Sequence, residues 1–311
     1  MAPERHEVWR EHYRVDRYMN HLDQAGLDQR MKHVFANLSV LTQEGKIGFP
    51  PISEEGERWM ILWTHLLEEY RLRSVSIPAD LTSMREIPDP DLPRTQSAAR
   101  TVRGRGLQPG SYLFKFGKAE HLTQLLERGE ILVRQASHYN DPALNHAVHD
   151  DELSIVLQPN PGHIRLTVFD QVTGEKKGEL YPSHNKIEKK LETDYYVYCL
   201  SQSFEPRLFL DFDSDACLIF HNPETFVERL TLAMESALPG WTAAGIGVNY
   251  IDPLRTLLSG VDLFRAKHFK FSYQKEFRVV CLPPAQLTGL GPIKFTVPSL
   301  GESCELIKLG S

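Results

Sequence analysis

The chain has 311 residues, of which 41% are hydrophobic and 24% are charged, and its formal net charge is −6. These values are typical of a soluble globular protein with one or two domains, and the acidic balance argues against a strongly basic nucleic-acid-binding scaffold. No apolar run approaches the length that a membrane-spanning helix requires, and the N-terminus lacks the apolar core of a secretory signal. The cysteines form no CxxC pair and mostly stand in apolar runs, which predicts buried free thiols in a reducing compartment. We therefore expect a cytoplasmic protein with no membrane partner.

The first 77 residues are predicted to form a helical region. Apolar residues recur at helical spacing over 6–27 and 53–74, with a turn-rich connector between the two stretches. Residues 78–110 are rich in Pro, Gly, Arg and Ser, which predicts an extended linker. A larger domain is therefore expected over 111–311.

The predicted domain over 111–311 mixes strands with fewer helices. Strands are predicted over 111–117, 131–137, 154–159, 163–171, 195–203, 216–222, 245–251, 271–283 and 291–298. Helices are predicted over 118–130, ending at Gly129, and over 183–193 and 223–238. Because the helices do not alternate regularly with the strands, the pattern favours an α+β fold with a split, mainly antiparallel sheet.

The segment FSYQKEFRVV, residues 271–280, carries three polar side chains on one face of its predicted strand, namely Gln274, Glu276 and Arg278. Residues two apart on a strand lie about 7 Å apart along the backbone, so Gln274 and Glu276 could address one ligand. The alternative is a solvated strand face on which Arg278 pairs with Glu276. In either case an exposed or ligand-facing Glu276 is expected to contribute little to stability.

Two further strand motifs carry polar side chains. In YLFKFG, Lys115 lies on the face opposite the aromatic residues of its predicted strand. In YCLSQSF, Ser201 and Ser203 share a face with Cys199. The alternative for Lys115 is a side chain that points to solvent, and the alternative for the two serines is capping of a strand end.

The order of these three motifs resembles that of the mono-ADP-ribosyltransferases. In that family a basic residue on a first strand helps to hold NAD, which the resemblance assigns to Lys115, although the family usually has Arg or His there. The resemblance implies that Ser201, with Ser203 beside it, shapes the nicotinamide pocket. It also implies that Glu276 binds a hydroxyl of the nicotinamide ribose and stabilises the cation formed on cleavage. Gln274, two residues earlier, would help to select the acceptor.

A second resemblance covers most of residues 112–280. The motifs FKF, YNDP at 139–142, CLS, CLIF, Lys267 and YQKEFR occur in the order found in a widespread uncharacterised bacterial family with a Phe-Asn-Asp-Pro motif. That family is similar in outline to ADP-ribosyltransferase toxins and occurs in phage-defence settings. The resemblance implies that Tyr139 and Asn140 belong to the cofactor-binding site, with Tyr139 stacking on nicotinamide or adenine. Arg278 would suit the pyrophosphate of NAD.

These motifs predict an NAD-dependent mono-ADP-ribosyltransferase that acts as a bacterial toxin or phage-defence effector. NAD would be its substrate, nicotinamide would be released, and RNA, DNA or a protein would accept the ADP-ribose. An antitoxin or inhibitor protein is a further expected kind of partner.

Two other classes of function stay open at this point. His146 and His149 would share a face if they lay on a helix, and Asp150, Asp151 and Glu152 follow them. Such a cluster could bind a divalent metal and make the chain a metal-dependent nuclease or hydrolase. No second ligand cluster accompanies it, so no metal site is assigned. The other class is a non-catalytic binding module that uses the helical N-terminal region as its partner surface.

Overall fold

The computed structural model describes residues 4–78, 88–108, 110–180, 186–297 and 300–310. The α-helices of this part of the chain are α1 (Arg5–Val15), α2 (Gln24–Leu38), α3 (Glu54–Arg73), α4 (Pro93–Val102), α5 (Ala119–Arg128), α6 (Pro206–Asp211) and α7 (Pro223–Ala237). Across the described ranges, none of them combines the length and the apolar character needed to cross a membrane.

The strands are short and mostly antiparallel. In chain order they are β1 (Val40–Leu41), β2 (Ile47–Gly48), β3 (Leu113–Gly117), β4 (Glu130–Gln135), β5 (Ser154–Leu157), β6 (Leu166–Phe169), β7 (Lys176–Leu180), β8 (Ile187–Lys190), β9 (Tyr196–Ser201), β10 (Ala216–Phe220), β11 (Thr242–Gly247), β12 (Asn249–Ile251), β13 (Ala266–His268), β14 (Glu276–Leu282), β15 (Ile293–Thr296) and β16 (Cys304–Lys308).

The main sheet joins eight of the described strands and opens in its middle. Its order is β11-β14-β9-β3-β10-β16, β4 also pairs with β9, and β15 pairs with β4. Strand β9 meets β4 at Tyr196 and Val197 but meets β3 only at Ser201. The sheet therefore separates between β3 and β4, and the predicted α+β class with a mainly antiparallel sheet is confirmed.

Both faces of the main sheet are covered, which explains why every residue of β10 is buried. Leu218 and Phe220 pack on one side in a core that includes residues of α5 and α7. Cys217 and Ile219 pack on the other side with residues of α4 and α6. Alternate residues of a strand point to opposite faces, so a strand covered on both sides is apolar throughout.

The predicted linker over 78–110 is wrong for residues 93–102, which form α4. Ala98 and Val102 are buried and pack with Phe114, Phe116 and Phe209 in the core under β3 and β10. Pro93, one of the prolines that suggested a linker, stands at the start of this helix, where its missing N–H costs nothing. Residues 79–87 and 109 of the predicted linker lie outside the described residues.

The N-terminal helices share a core with the larger region, so the predicted boundary at residue 77 does not separate two cores. Leu254 and Phe269 belong to the same buried apolar cluster as residues of α1, α2 and α3. Arg30 on α2 donates two hydrogen bonds to the Asp252 carboxylate, at 2.8 and 2.7 Å, and both side chains are buried. Asn37 adds a bond of 2.9 Å to the Lys270 carbonyl oxygen.

Of the other helices and strands predicted from the sequence, some are confirmed and one is wrong. Helix α5 ends at Gly129, whose φ of 67° is left-handed and whose added Cβ would lie 2.0 Å from the Val297 carbonyl oxygen. Strand β15 pairs with β4 alone among the described strands, as expected of an edge strand. The helix predicted over 183–193 is wrong, because residues 187–190 form β8 and pair with β5. Residues 183–185 of that prediction lie outside the described residues.

The Arg30–Asp252 pair gives a test of how the N-terminal helices are docked. Arg30→Met should lower the free energy of unfolding by about 3–5 kcal/mol, because it leaves the Asp252 carboxylate buried without its partner. The matched control is Arg94→Met, which breaks an ion pair whose side chains are 43% and 59% exposed. That control should cost less than about 1 kcal/mol. Urea unfolding measures both, and equal effects would contradict the docking described above.

Candidate functional site

A cavity of about 230 Å³ lies where the main sheet opens. It is lined by residues of β3 and β9, by the start of β14, and by the segment between β4 and β5. The predicted site residues that line it are Lys115, Tyr139, Ser201, Gln274 and Glu276. The cavity therefore brings together residues from three motifs that are far apart in the sequence.

The strand register explains this convergence. Glu276 on β14 is the Cα partner of Ser201 on β9, and Ser201 is the Cα partner of Phe114 on β3. Directly paired residues of antiparallel strands place their side chains on the same face, so Glu276 and Ser201 are neighbours. Lys115 follows Phe114 and starts from the opposite face. Its Nζ reaches the opening of the sheet, where it donates a hydrogen bond of 2.7 Å to the Cys199 carbonyl oxygen.

The strand predicted over 271–283 begins only at Glu276. Residues Phe269–Gln274 form a 3₁₀ helix, and Lys275 ends it with a left-handed φ of 47°. The aromatic residues that suggested a strand face pack against different cores instead, Tyr273 beside residues of α4 and α6 and Phe277 beside residues of α7. Gln274 and Glu276 are therefore not alternate residues of one strand, yet both line the cavity.

Glu276 is held in a buried network of charges. Its carboxylate accepts hydrogen bonds from Arg278 Nε and from Lys267 Nζ, each at 2.5 Å. The terminal nitrogens of Arg278 lie 2.6 and 2.9 Å from the carboxylate oxygens of Glu152. All four side chains are at most 6% exposed. The predicted pairing of Arg278 with Glu276 is present, but the pair is buried, so the alternative of a solvated strand face is wrong.

The two carboxylates of this network differ in acidity. Burial alone would raise the pKa of Glu276, but Arg278 and Lys267 outweigh burial and lower this pKa to about 2. For Glu152, burial outweighs the opposing charges of Arg278 and Lys267 and raises the pKa to about 7. Burial also works against the charge of Lys267, but the two carboxylates raise its pKa above the ordinary value. Glu276 is therefore ionised at neutral pH beside a charged Lys267.

Three of the predicted site residues do not line the cavity. Arg278 lies behind Glu276 and is bound by carboxylates on two sides, so its guanidinium is engaged by protein rather than offered to a pyrophosphate. Ser203 donates a hydrogen bond of 2.7 Å to Glu205 and lines a different groove. Asn140 is exposed at the end of a 3₁₀ helix.

Ser201 lines the cavity but also fixes the backbone around it. Its Oγ donates to the Gln274 carbonyl oxygen at 2.7 Å and accepts from the Ser203 N–H at 3.0 Å. These bonds hold the end of β9 against the turn that precedes Glu276. The strand-end capping that was the alternative for Ser201 is therefore present, and its role at nicotinamide stays a prediction.

Sequence reasoning missed Lys267 and Glu152 as site residues. Lys267 had entered only as a match to a family motif, and Glu152 only as part of a possible metal cluster. Neither lies at a spacing that relates it to Glu276, since Lys267 is on β13 and Glu152 is in the turn directly before β5. The signal that could have identified them is an ionisable residue placed next to an apolar strand. A buried strand draws such a residue into the interior, where its charge requires an opposite charge nearby.

The metal-site alternative rested on a helix that does not form. Residues 141–150 contain turns and no helix, so His146 and His149 lack the helical spacing that would align them. Within the ranges that the structure covers, no three His, Cys, Asp or Glu side chains come together in a way that could hold a metal ion. Glu152, the last acidic residue of that segment, pairs with Arg278 instead.

A larger groove of about 1270 Å³ lies between the N-terminal helices and β12, and is lined by Trp9, Trp59 and Tyr250 among others. It is open, and its lining mixes acidic, basic and aromatic side chains without a buried ionic centre. The smaller cavity is the better candidate site, because perturbed ionisable groups that converge in a concave pocket mark functional sites more specifically than size does. Tyr250 on the wall of the larger groove accepts, through its hydroxyl, a hydrogen bond of 2.7 Å from the N–H of Glu276, which lines the smaller cavity.

No protein-family model, no curated protein and no solved structure matches the chain. The two resemblances described from the sequence therefore stay predictions.

The buried network predicts how Glu276 affects stability. Glu276→Gln should lower the free energy of unfolding at pH 7 by about 3–5 kcal/mol, because Arg278 and Lys267 then share only the Glu152 carboxylate. The folded-state pKa of Glu276 lies below its ordinary value of 4.5, so its stabilising contribution is present above pH 4.5 and is lost as pH falls toward 2. The variant should lack this loss.

Urea unfolding between pH 3 and pH 8 measures this difference, with Glu120→Gln as the control. Glu120 is an exposed carboxylate on α5, and its replacement should change stability by less than about 0.5 kcal/mol. A Glu276→Gln variant as stable as that control would show that the network is not paired as described.

Proposed function

We propose that the chain is an NAD-dependent mono-ADP-ribosyltransferase whose active site is the cavity beside Glu276. One observation carries the proposal. The three motifs that resemble this family lie on adjacent strands, and Lys115, Ser201 and Glu276 from those motifs line one cavity. The resemblance concerned only motif order along the chain, so their convergence in space is independent support.

The chemistry of NAD cleavage suits this environment. When the bond between ribose C1′ and the nicotinamide nitrogen breaks, its electron pair moves to the nitrogen and the ribose carbon becomes cationic. An acceptor oxygen or nitrogen then bonds to C1′ and loses its proton. A carboxylate fixed beside C1′ stabilises the charge that develops in the transition state, provided that it is ionised. Glu276 meets this condition, because its neighbours lower its pKa to about 2.

The network also explains how a buried carboxylate can stay in place for this task. Arg278 and Lys267 bind different oxygens of Glu276 and fix its orientation. Each carboxylate oxygen has two lone pairs, so both remain able to accept a further hydrogen bond from a ribose hydroxyl. Glu152 holds the outer nitrogens of Arg278, which leaves only Nε to Glu276.

The size of the cavity limits how much of NAD it can enclose. Its volume of about 230 Å³ lies below the roughly 300–1,000 Å³ of pockets that bury a whole drug-sized ligand. We therefore propose that it takes the nicotinamide end, while the diphosphate and adenosine lie outside. Lys115 lines the cavity and has ammonium hydrogens beyond the one bound to Cys199, so it could donate one of them to the part of NAD inside the cavity.

The acceptor and the biological setting follow from the resemblance to the Phe-Asn-Asp-Pro family. The acceptor would be a nucleic acid or a protein. The protein would act as a toxin or phage-defence effector in the cytoplasm, with an antitoxin or inhibitor protein as its partner. Mass spectrometry of total RNA, DNA and protein after expression would identify the acceptor by the mass of the added ADP-ribose.

The proposal predicts that the purified protein releases nicotinamide from NAD and that this depends on Glu276. Glu276→Gln should lower the rate at least about a hundredfold, because losing one such electrostatic group costs on the order of 3 kcal/mol of transition-state stabilisation. The assay is run at a temperature where circular dichroism shows each variant to be folded.

The matched control is Asp252→Asn, which also removes a buried carboxylate from a pair with arginine but does not line the cavity. It should lose stability and keep the wild-type rate per folded molecule. A wild-type protein that releases no nicotinamide, with any acceptor fraction added from a cell extract, would refute the proposed function. Equal rates for wild type and Glu276→Gln would remove Glu276 from it.

A further inference from the structure

Gln274 is buried at the wall of the cavity, and one end of its amide has no partner. The residue is 1% exposed, and its Nε2 donates a hydrogen bond of 2.7 Å to the Ala147 carbonyl oxygen. That bond fixes the orientation of the amide, because only the nitrogen end can donate to a carbonyl. The other end, Oε1, has no hydrogen-bond partner among the described residues.

An unpaired acceptor at this depth is unusual. A buried polar atom without a partner costs about 1–3 kcal/mol, and most buried side-chain polar atoms in proteins are paired. Gln274 shares the cavity wall with Tyr139, Phe116 and Phe212, whose rings provide apolar surface, and with the ammonium group of Lys115. The wall thus combines flat apolar surface and the donor Lys115 with the unpaired acceptor of Gln274, in addition to the charged network around Glu276.

We propose that this cavity binds a flat ring carrying a primary amide, and that Gln274 Oε1 accepts a hydrogen bond from the amide N–H₂ of that ligand. The inference deepens the proposed function, and the choice of nicotinamide as the probe rests on it. The ligand carbonyl oxygen can accept from Lys115, whose ammonium has three hydrogens and gives one to Cys199.

The same wall disfavours a carboxylate in place of the amide. A ligand carboxylate has no donor for Gln274 Oε1, and it would bring a negative charge next to the ionised Glu276. A site built to pair with a donor rejects an analogue that lacks the donor, because the buried acceptor is then left unpaired. Gln274 would therefore determine specificity for the amide over the acid.

This role differs from the one that the resemblance implies for Gln274. Selection of a macromolecular acceptor requires a side chain that the acceptor can reach from outside. At 1% exposure, Gln274 is closed off by the protein around it. Its free acceptor can serve only a small group that enters the cavity.

The test is calorimetric binding of small ligands to the wild-type protein, in the absence of NAD. The probes are nicotinamide, nicotinate and N,N-dimethylnicotinamide, which keeps the ring and carbonyl but has no N–H. Nicotinamide should bind at least about tenfold more tightly than either analogue, as expected for one hydrogen bond to a buried acceptor. Equal affinities for the three probes, or no binding of nicotinamide, would overturn the inference.

A pair of variants assigns the preference to Gln274. Gln274→Met keeps the unbranched shape without the acceptor, and it should bring the affinities for nicotinamide and N,N-dimethylnicotinamide within about threefold of each other. The matched control is Gln202→Met, because Gln202 lies just beyond β9 and does not line this cavity. That control should keep the full preference. A preference that survives Gln274→Met overturns the assignment, and if this variant does not fold, the ligand series on the wild type still decides.

The outcomes also separate this inference from the proposed function, because binding is measured without catalysis. A clear preference for nicotinamide in a protein that does not cleave NAD would refute only the transferase proposal. Cleavage of NAD by a protein that shows no preference among the three probes would refute only the role of Gln274.

Discussion

The pairing of Arg278 with two carboxylates is the interaction on which the candidate site depends. Arg278 projects from β14 and binds Glu276 on its own strand and Glu152 from the segment before β5. Lys267 from β13 completes the group with a bond to Glu276. The positive charges of Arg278 and Lys267 are compensated by the ionised Glu276 and by Glu152, whose pKa is raised to about 7. Because these side chains are buried, removal of Arg278 or Glu276 leaves a buried charge without its partner. Three segments that are distant in the sequence are thereby held at one place.

The N-terminal helices hold the other side of the same site. Asn37 near the end of α2 bonds to the Lys270 carbonyl oxygen and to the Tyr273 N–H, both at 2.9 Å and both in the 3₁₀ helix that precedes Glu276. Lys275, the last residue before β14, pairs with Glu55 on α3. The helices therefore act as part of the framework that positions Gln274 and Glu276, which explains why a boundary at residue 77 fails.

Many of the helices and strands could be predicted from local sequence patterns. The predictions that were wrong share one physical reason. The end of α5 at Gly129 and the edge position of β15 follow from glycine conformation and strand alternation, which act within a few residues. Helix α4 and strand β8 were mistaken because their composition resembles that of a linker and of a helix. Packing against β3 and pairing with β5 decided those segments, and neither partner is visible in a short stretch of sequence.

The candidate site, too, could be predicted from the sequence only in part. Glu276, Ser201 and Lys115 could be proposed from motif order, but the charges that make Glu276 a buried, ionised group come from β13 and from the segment before β5. No spacing rule relates Lys267 or Glu152 to Glu276, so only the folded chain brings them together. The free acceptor of Gln274 is likewise a property of three-dimensional placement, since its partner Ala147 stands in a distant turn.

The central claim is that the cavity beside Glu276 is where NAD binds. Hydrogen–deuterium exchange of the wild-type protein, pulsed briefly with and without saturating NAD, tests it most directly because it reports location. We predict that NAD slows exchange in peptides covering residues 139–152, 196–203 and 266–282, which supply the cavity wall. Exchange in α1 should stay unchanged, although this helix borders the larger groove. Protection confined to the N-terminal helices, or no protection at saturating NAD, would contradict the account.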